Sequence, residues 1–211
     1  MEALQTELSV GIKKLGLLLS SETTNQLLSF LQLLKKWNQS YNLTADADLR
    51  TLLSQHLLDS LSIAPFIQTD RIADVGSGAG FPGIPLAMIF PDKQFVLIES
   101  IGKKTAFLRQ VIATFKMMNV GVVQMRAEQY RPDFCFETLV CRALGSLTDI
   151  IHKTQHLLCD QGQWLLMKGE YPKDELANVH LPYKVEKLSV PLLKAERHLV
   201  IIKNRKEMTC E

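Results

Sequence analysis

The first 64 residues are poor in glycine and proline, and their apolar residues recur at intervals of three and four. Side chains at this spacing share one face of a helix, so the pattern predicts helices and not strands. One helix is expected near the N-terminus, a second after a capping serine at Ser20 or Ser21, and a third over about 47–61. Three such helices are too few for a large core of their own. We therefore predict an N-terminal helical cap over residues 1–64.

After Pro65 the pattern changes to short apolar runs that alternate with helical segments. Strands that alternate with helices form a mostly parallel sheet with helices on both faces, and such sheets bind ligands at the carboxyl ends of their strands. The last two runs are expected to form a closing hairpin. The predicted fold is therefore α/β with a seven-stranded sheet, in a domain that spans 65–211. The predicted strands are 72–75, 94–98, 120–125, 138–141, 162–167, 183–190 and 198–203.

The first predicted strand runs into a glycine-rich turn. Asp74 precedes three glycines at alternate positions, and Pro85 stands where the next helix begins. Glycine is needed where the backbone takes a positive φ or must approach a ligand without a Cβ, and proline suits a first helical turn because it lacks the N–H. The strand, turn and helix predict a nucleotide-cofactor site. The residues expected to contact the cofactor here are Asp74, Gly76, Gly78 and Gly80.

A second acidic residue, Glu99, stands at the carboxyl end of the second predicted strand. Adjacent parallel strands end at one rim of a sheet, so Glu99 is expected beside the glycine turn, where its carboxylate can accept hydrogen bonds from the two hydroxyls of a ribose. The alternative is that Asp74 and Glu99 only cap strand ends on a solvated surface. The turn between them favours the cofactor site.

The glycine spacing leaves two cofactors open. Gly78, Gly80 and Gly83 match a dinucleotide fingerprint, which would make the chain a nicotinamide-dependent oxidoreductase, but that motif would begin late after its strand. The run that starts at Asp74 instead looks like motif I of the class I S-adenosylmethionine-dependent methyltransferases. In that class the turn lies close to the methionine part of the cofactor, and an acid at the end of strand two holds the ribose. This resemblance implies a Rossmann-like fold and S-adenosyl-L-methionine as the cofactor.

Composition and charge exclude few classes of protein function. The 211 residues are 46% hydrophobic and carry a net charge of +2, which is ordinary for a globular protein and argues neither for nor against nucleic acid. No apolar run approaches the length of a membrane span and no long heptad suggests an obligate dimer, so we expect a cytoplasmic monomer. The cysteines lack Cys-x-x-Cys spacing and a histidine pattern for zinc, which predicts reduced thiols and no metal. They are Cys135, Cys141, Cys159 and Cys210.

Several longer sequence motifs of the chain resemble those of one protein family. The glycine turn is accompanied by a Lys-Trp-Asn-x-x-Tyr-Asn-Leu-Thr segment at 36–44 and a His-x-Leu-Asp-Ser segment at 56–60. Shorter motifs that match the same family lie at 103–108, 142–143, 168–169 and 196–198. Together they resemble the glucose-inhibited division protein B family, the bacterial methyltransferases that modify the N7 of a guanine in the decoding-region loop of 16S ribosomal RNA. The resemblance extends over about 27–203.

The family resemblance implies roles for individual residues. Glu99 takes the ribose position, and some members have an arginine where this chain has Gln55, which weakens an RNA role there. The implied partner is 16S ribosomal RNA, within the small subunit or its precursor. An RNA-binding assembly factor that kept the fold without the reaction is the non-enzymatic alternative. Further cofactor contacts are implied at Gly76, Phe81, Ala127, Glu128 and Arg142.

The implied chemistry needs few catalytic groups. Guanine N7 carries a free lone pair and no proton, so methyl transfer to it needs in-line placement and no general base. The sequence lacks the Asp- or Asn-Pro-Pro-aromatic tetrad that holds an exocyclic amine, and no cysteine follows a proline as in enzymes that attack through a thiolate. We therefore expect catalysis by positioning and desolvation, with no covalent intermediate.

Two cations at predicted strand tips are the candidate catalytic residues, Arg142 and Lys168. The Arg142 guanidinium can donate to guanine O6 or bind the cofactor carboxylate, and the alternative is an ion pair with Glu128. Lys168 can contact an RNA phosphate, or can be an exposed lysine at the end of a strand.

The cap and the predicted rim supply the candidate RNA contacts. Trp37 and Tyr41 can stack on bases, although aromatic residues at a helix end more often fix a cap to a core. His56 and Asp59, one helical turn apart, are expected to form a structural hydrogen bond within the cap and not a metal site. Asn42 can orient the cap loop or touch RNA. The substrate-binding candidates are Asn42, Lys103, Lys104 and Arg197, with Lys35 and Lys36 as further members of a basic rim.

Overall fold

The computed structural model describes residues 2–46, 48–142 and 144–204. Three predictions therefore fall outside the described residues. They are the helix start at Ala47, the alanine of the motif at 142–143 and the reduced thiol of Cys210. No helix of the described ranges is long and apolar enough to cross a membrane. Their α-helices are α1 (Glu2–Lys14), α2 (Ser21–Tyr41), α3 (Leu49–Thr51), α4 (Asp59–Leu61), α5 (Gly83–Ile89), α6 (Gly102–Phe115), α7 (Leu147–Thr154) and α8 (Lys173–Leu176).

The three helices predicted for the cap are present. Ser20 caps α2, because its hydroxyl oxygen accepts a hydrogen bond from the Thr23 N–H at 3.0 Å. The same helix ends at Tyr41, and the C-cap residue Asn42 adopts a left-handed conformation with φ 46°. In the third helix, a π-helical segment over Leu52–Leu58 joins α3 to α4. Such wide turns often occur at functional sites, and this one carries His56.

The seven-stranded sheet confirms the predicted fold class. Its strand order is β3-β2-β1-β4-β5-β7-β6, with the first five strands parallel and β7 antiparallel to both neighbours. The order reverses between β1 and β4, and ligands of open α/β sheets bind at the carboxyl ends of the strands beside such a reversal. The strands are β1 (Arg71–Val75), β2 (Gln94–Glu99), β3 (Val120–Gln124), β4 (Phe136–Arg142), β5 (Leu158–Lys168), β6 (Tyr183–Lys187) and β7 (His198–Lys203).

The cap and one face of the sheet share an apolar cluster. The Phe30 ring of α2 lies 5.3 Å from the Phe81 ring of the glycine turn and 6.3 Å from the Phe107 ring of α6. A second cluster, centred on the fully buried Trp164, covers the other face beneath α7. The cap is therefore fixed directly against the turn that begins the predicted site, and the division into two domains at residue 64 stays a prediction.

Two cysteines form a disulfide, so the prediction of reduced thiols is wrong for this pair. Cys135 and Cys159 are 24 positions apart in sequence, and their Cα atoms are 5.0 Å apart. Cys135 directly precedes β4 and Cys159 lies near the start of β5, where Phe136 pairs with Leu158. Strand pairing brings the two together, which a search for local Cys-x-x-Cys spacing does not detect. Among the described residues, Cys141 is a free, buried cysteine.

Candidate functional site

A cavity of about 480 Å³ opens at the carboxyl ends of β1, β2 and β4. The glycine turn, the end of β2, the loop after β3, the tip of β4 and the cap loop at 43–44 form its walls. Seven of the residues predicted to contact the cofactor line this one cavity: Gly76, Gly78, Phe81, Glu99, Ala127, Glu128 and Arg142.

The glycine turn needs its glycines for backbone conformation. Gly76, Gly78 and Gly80 have φ values of 70°, 59° and 95°, in the left-handed region that side chains disfavour. A Cβ on Gly80 would also lie 2.7 Å from a side-chain carbon of Ile84. Gly80 supports the turn from the side of α5, while the other two line the cavity.

Asp74 lies beneath the turn, outside the cavity lining. Its side chain is fully buried, and Oδ2 accepts a hydrogen bond from the Gly83 N–H at 2.9 Å. Within the described residues Oδ1 has no hydrogen-bond partner. Burial raises the pKa of Asp74 to about 7. The structure therefore gives Asp74 the task of holding the glycine turn against the start of α5.

Glu99 joins the glycine turn to the start of α6. One carboxylate oxygen accepts from the Gly78 N–H at 2.9 Å and the other from the Ile101 N–H at 2.8 Å. Only 6% of the residue is exposed, and it lines the cavity. Each carboxylate oxygen has a further lone pair, so Glu99 can still accept hydrogen bonds from the hydroxyls of a ligand.

Arg142 connects the tip of β4 to the cap. One terminal nitrogen donates to the Gln55 carbonyl at 3.0 Å and to Asp59 Oδ2 at 3.2 Å, and the other lies 2.7 Å from His56 Nδ1. The guanidinium also lies over the Phe81 ring, 5.4 Å from its centre. These partners, and not Glu128, hold Arg142 at the cavity wall.

The contacts of Arg142 belong to a larger group of five side chains, which we call the Arg142 cluster: Asp46, His56, Asp59, Arg142 and Arg197. Asp59 is 2% exposed and stands between the two arginines. Its second oxygen lies 3.2 Å from Arg197 Nε, an ion pair without hydrogen-bond geometry. In place of the predicted hydrogen bond between His56 and Asp59, Asp59 forms ion pairs with Arg142 at the end of β4 and with Arg197, which directly precedes β7.

His56 completes the cluster towards the cap loop. Its Nε2 lies 2.6 Å from Asp46 Oδ2, and its ring is 5.1 Å from the Phe81 ring. Burial, and then the charge of Arg142, lower the pKa of His56, although Asp46 opposes this. Sequence reasoning missed Asp46 and missed that His56 lines the cavity. Nothing in the local pattern around Asp46 indicates either contact, because both depend on the folding of the cap loop.

Lys168, the second catalytic candidate, lies outside the cavity lining. Its ammonium contacts both oxygens of Glu175, at 2.9 and 2.8 Å, and the Gly145 carbonyl at 2.8 Å. Arg197, predicted to contact RNA, is engaged with Asp59. The structure therefore gives both cations carboxylate partners within the chain.

The remaining predicted RNA contacts lie around the cap. Lys104 lines the cavity, Lys103 is exposed at the start of α6, and Asn42 lies in a separate groove on the cap loop with Lys35. The Trp37 ring packs 5.6 Å from Phe107 and 5.0 Å from Tyr41, the arrangement expected of a cap fixed to a core. Two cavity-lining cations were missed by sequence reasoning, Arg126 and Lys153. Arg126, directly after the predicted third strand, was detectable from its position.

Comparisons with known proteins show which family the chain belongs to. The family model GidB, described as rRNA small subunit methyltransferase G, matches residues 23–200. A protein of Coxiella burnetii (strain RSA 331) named ribosomal RNA small subunit methyltransferase G is 52% identical over 200 residues, 95% of this chain and 98% of the relative. A protein of the same name from Shigella dysenteriae is 42% identical and covers 95% of this chain and 98% of its own length.

A solved structure, M. jannaschii TYW2 in complex with AdoMet, shares the fold. It matches with a TM-score of 0.54 at 20% identity, over 71% of this chain and 76% of that chain. The family match covers most of the chain and includes α2 from Thr23 onward, the glycine turn and every strand to β6. The predicted resemblance is confirmed, and the chain belongs to the GidB family, described as rRNA small subunit methyltransferase G.

Proposed function

We propose that the chain transfers a methyl group from S-adenosylmethionine to the N7 of a guanine in 16S ribosomal RNA. The observation that carries the proposal is the Glu99 carboxylate, held between the glycine turn and α6 at the cavity wall. Membership of the GidB family supports the methyl transfer and the ribosomal RNA substrate, and it leaves the nicotinamide alternative without support. The choice of guanine N7 comes from the family resemblance.

The residues of the cavity fit this cofactor. A volume of about 480 Å³ is within the usual range for small-molecule sites. Glu99 has lone pairs for two ribose hydroxyls, and the apolar side chains of Ile101 and Met125 beside it suit the faces of an adenine ring. The glycines at 76 and 78 let a ligand approach the backbone of the turn without a Cβ in the way.

S-adenosylmethionine, when bound, supplies a methyl group on a positively charged sulfur. We assign its ribose to Glu99, its adenine to the wall formed by Ala127 and Glu128, and its methionine part to the glycine turn at Gly76 and Gly78. Asp74 acts indirectly, because it keeps the turn in place from beneath.

Arg142 orients the target guanine. A guanidinium has five N–H donors, and three hydrogen bonds to Gln55, Asp59 and His56 leave donors for guanine O6. Arg142 lies on the cap side of the cavity with His56 and Phe81, so we assign it to the base and not to the cofactor carboxylate.

No general base is required, because guanine N7 has no proton to lose. Burial raises the pKa of the Cys141 thiol, which is therefore not a nucleophile. Phe81 and the cap-loop residues Leu43 and Thr44 line the cavity together with Arg142. Catalysis then consists of placing N7 in line with the methyl group and desolvating it.

The RNA backbone is assigned to the cations nearest the cavity. Lys104, Arg126 and Lys153 line it, and their side chains suit phosphate contacts. Asn42, Lys103 and the groove near Lys35 are a second set for flanking nucleotides. We further propose that the protein acts as a monomer in the cytoplasm, on 16S ribosomal RNA within the small subunit or its precursor.

The test is transfer of a labelled methyl group from S-adenosylmethionine, with naked 16S ribosomal RNA and unmethylated small subunits as parallel substrates. Reduction and aniline cleavage locate N7-methylguanosine, because this modification weakens the glycosidic bond. The expected result is one labelled guanine in one or both substrates, with none when Arg142→Ala replaces the wild type. Binding of S-adenosylmethionine without any transfer to either substrate would favour the assembly factor.

A further inference from the structure

His56 has one neutral form that fits its neighbours. Arginine side chains only donate hydrogen bonds, so the Arg142 nitrogen 2.7 Å from Nδ1 requires a lone pair there. The ring proton must then be on Nε2, which faces the Asp46 carboxylate at 2.6 Å. Arg142 and Asp46 together therefore select the Nε2–H tautomer of a neutral ring.

The charges of the Arg142 cluster balance only if His56 is neutral. Asp46 and Asp59 supply two negative charges, and Arg142 and Arg197 supply two positive charges. The groups that face His56 are Asp46 from the cap loop, Arg142 from β4 and Asp59 from its own helix, while Phe81 of the glycine turn is uncharged. A proton on Nδ1 would remove the acceptor of Arg142 and place a like charge beside it.

The position of His56 connects two walls of the cavity. Arg142 reaches the cavity from the tip of β4, and Asp46 belongs to the same loop as the cavity-lining residues Leu43 and Thr44. Asn38 fixes that loop, because its side-chain oxygen accepts from the N–H groups of Leu43 and Thr44 at 2.7 and 2.9 Å. His56 thus contacts the guanidinium and the loop at once.

We propose that His56 is a positioning residue, which acts as a neutral acceptor to hold the Arg142 guanidinium at the cavity wall, and that protonation of His56 releases Arg142 and lowers methyl transfer. The proposal rests on the proposed function. Arginine has a long side chain that samples many rotamers when unrestrained, and a small displacement of a positioning group can cost on the order of 100-fold in rate. Burial and the charge of Arg142 lower the pKa of His56, so the neutral form is the one present at neutral pH and the loss of transfer is expected on the acid side.

Two substitutions of His56 distinguish the roles of its two ring nitrogens. Asparagine places an amide oxygen near the position of Nδ1 and does not titrate, so His56→Asn keeps the acceptor for Arg142. Glutamine reaches towards Asp46 and leaves Arg142 without its acceptor. We expect His56→Gln to lower kcat by roughly ten- to 100-fold with little change in cofactor affinity, whereas His56→Asn should keep more of the activity and lose the acid limb that His56 contributes to the pH profile.

The matched control is His180→Asn, at an exposed histidine outside the cavity lining. It should leave kcat, KM and the pH profile unchanged. Wild-type kcat in His56→Gln, or an acid limb that persists unchanged in His56→Asn, would overturn the proposal.

A direct measurement needs neither cofactor nor RNA. The chain has five histidines, so the ring nitrogens of His56 can be identified in a ¹⁵N NMR spectrum by the signals that disappear in His56→Gln. The expected result in the wild type at pH 7 is a neutral ring with its proton on Nε2. A charged ring or an Nδ1–H tautomer would overturn the proposal even if methyl transfer is observed, whereas failure of the proposed function would appear as no transfer by the wild type.

Discussion

Asp74 and Asp59 are both buried, at 0% and 2% exposure, but their surroundings are opposite. Asp74 lies under the glycine turn, where its Oδ2 accepts a hydrogen bond from the backbone N–H of Gly83. Asp59 lies in the Arg142 cluster between two guanidinium groups. The pKa of Asp74 rises to about 7 because burial disfavours its charge, whereas Asp59 forms ion pairs with Arg142 and Arg197.

The comparison shows two ways to build a wall of the same cavity. The glycine turn is contiguous in sequence and depends on backbone conformation and backbone hydrogen bonds. The Arg142 cluster draws side chains from the cap, β4 and the start of β7, and depends on charge balance. Removing a charge should therefore be tolerated beneath the turn and costly in the cluster.

The largest effect is expected from Asp59→Asn. The substitution keeps the shape of the side chain but leaves two partly buried arginines without their carboxylate, and breaking a buried ion pair in this way costs about 3–5 kcal/mol of unfolding free energy. Denaturant unfolding measures the loss, with the exposed Asp92→Asn as control. A loss no larger than that of the control would show that the cluster does not fix the cap to the sheet.

Arg142→Lys is expected to reduce methyl transfer by about 100- to 1,000-fold, because lysine keeps the charge but loses the planar donor set that orients the base. It also tests which ligand Arg142 contacts. Calorimetry with S-adenosylhomocysteine, which retains the carboxylate, should show nearly unchanged affinity if Arg142 serves the base. An equal loss of affinity and of transfer would assign Arg142 to the cofactor carboxylate instead.

Glu99→Gln tests the other side of the cavity. The neutral amide accepts weaker hydrogen bonds than a carboxylate and has one oxygen, so affinity for S-adenosylhomocysteine should fall by roughly ten- to 100-fold. The same calorimetric titration with Asp92→Asn should match the wild type. An unchanged affinity in Glu99→Gln would show that Glu99 does not bind the ribose.

The last prediction is a pH dependence of the stability. The pKa of Asp74 is about 7 in the folded chain against an ordinary value of 3.8, so between these values the folded chain holds a proton that the unfolded chain has released. Stability from this group is therefore present below pH 4 and is lost as pH rises to about 7, by up to about 1.4 kcal/mol per pH unit. The difference in unfolding free energy between the wild type and Asp74→Asn should shift in this direction between pH 5 and pH 7.5. If this difference in unfolding free energy does not vary with pH, the raised pKa of Asp74 in the folded chain is contradicted.

The same contrast explains which features could be predicted from the sequence. The glycine turn, the acid at the end of β2 and the alternation of strands and helices are local patterns whose geometry follows from chain connectivity, so the site of the cavity was predictable. The pairing of Arg142 with His56 and Asp59 joins residues more than 80 positions apart. No local period encodes such contacts, and the sequence offered Glu128 as an equally reasonable partner.

Two further differences between the predictions and the structure also arise from contacts between residues that are distant in sequence. The disulfide between Cys135 and Cys159 depends on the register of β4 against β5, and the engagement of Lys168 depends on the approach of Glu175 from α8. Asp74 shows a subtler case. It was predicted to contact the cofactor, but its side chain lies beneath the turn, where it accepts a hydrogen bond from the Gly83 N–H at the start of α5.

The most direct test of the account is a crystal structure of the protein with S-adenosylmethionine bound. We predict that the ligand lies in the cavity, with its ribose hydroxyls on Glu99, its methionine part along the glycine turn, and its methyl group directed to the space beside Arg142 and Phe81. A ligand bound elsewhere, or one that leaves Glu99 without contact, would contradict it.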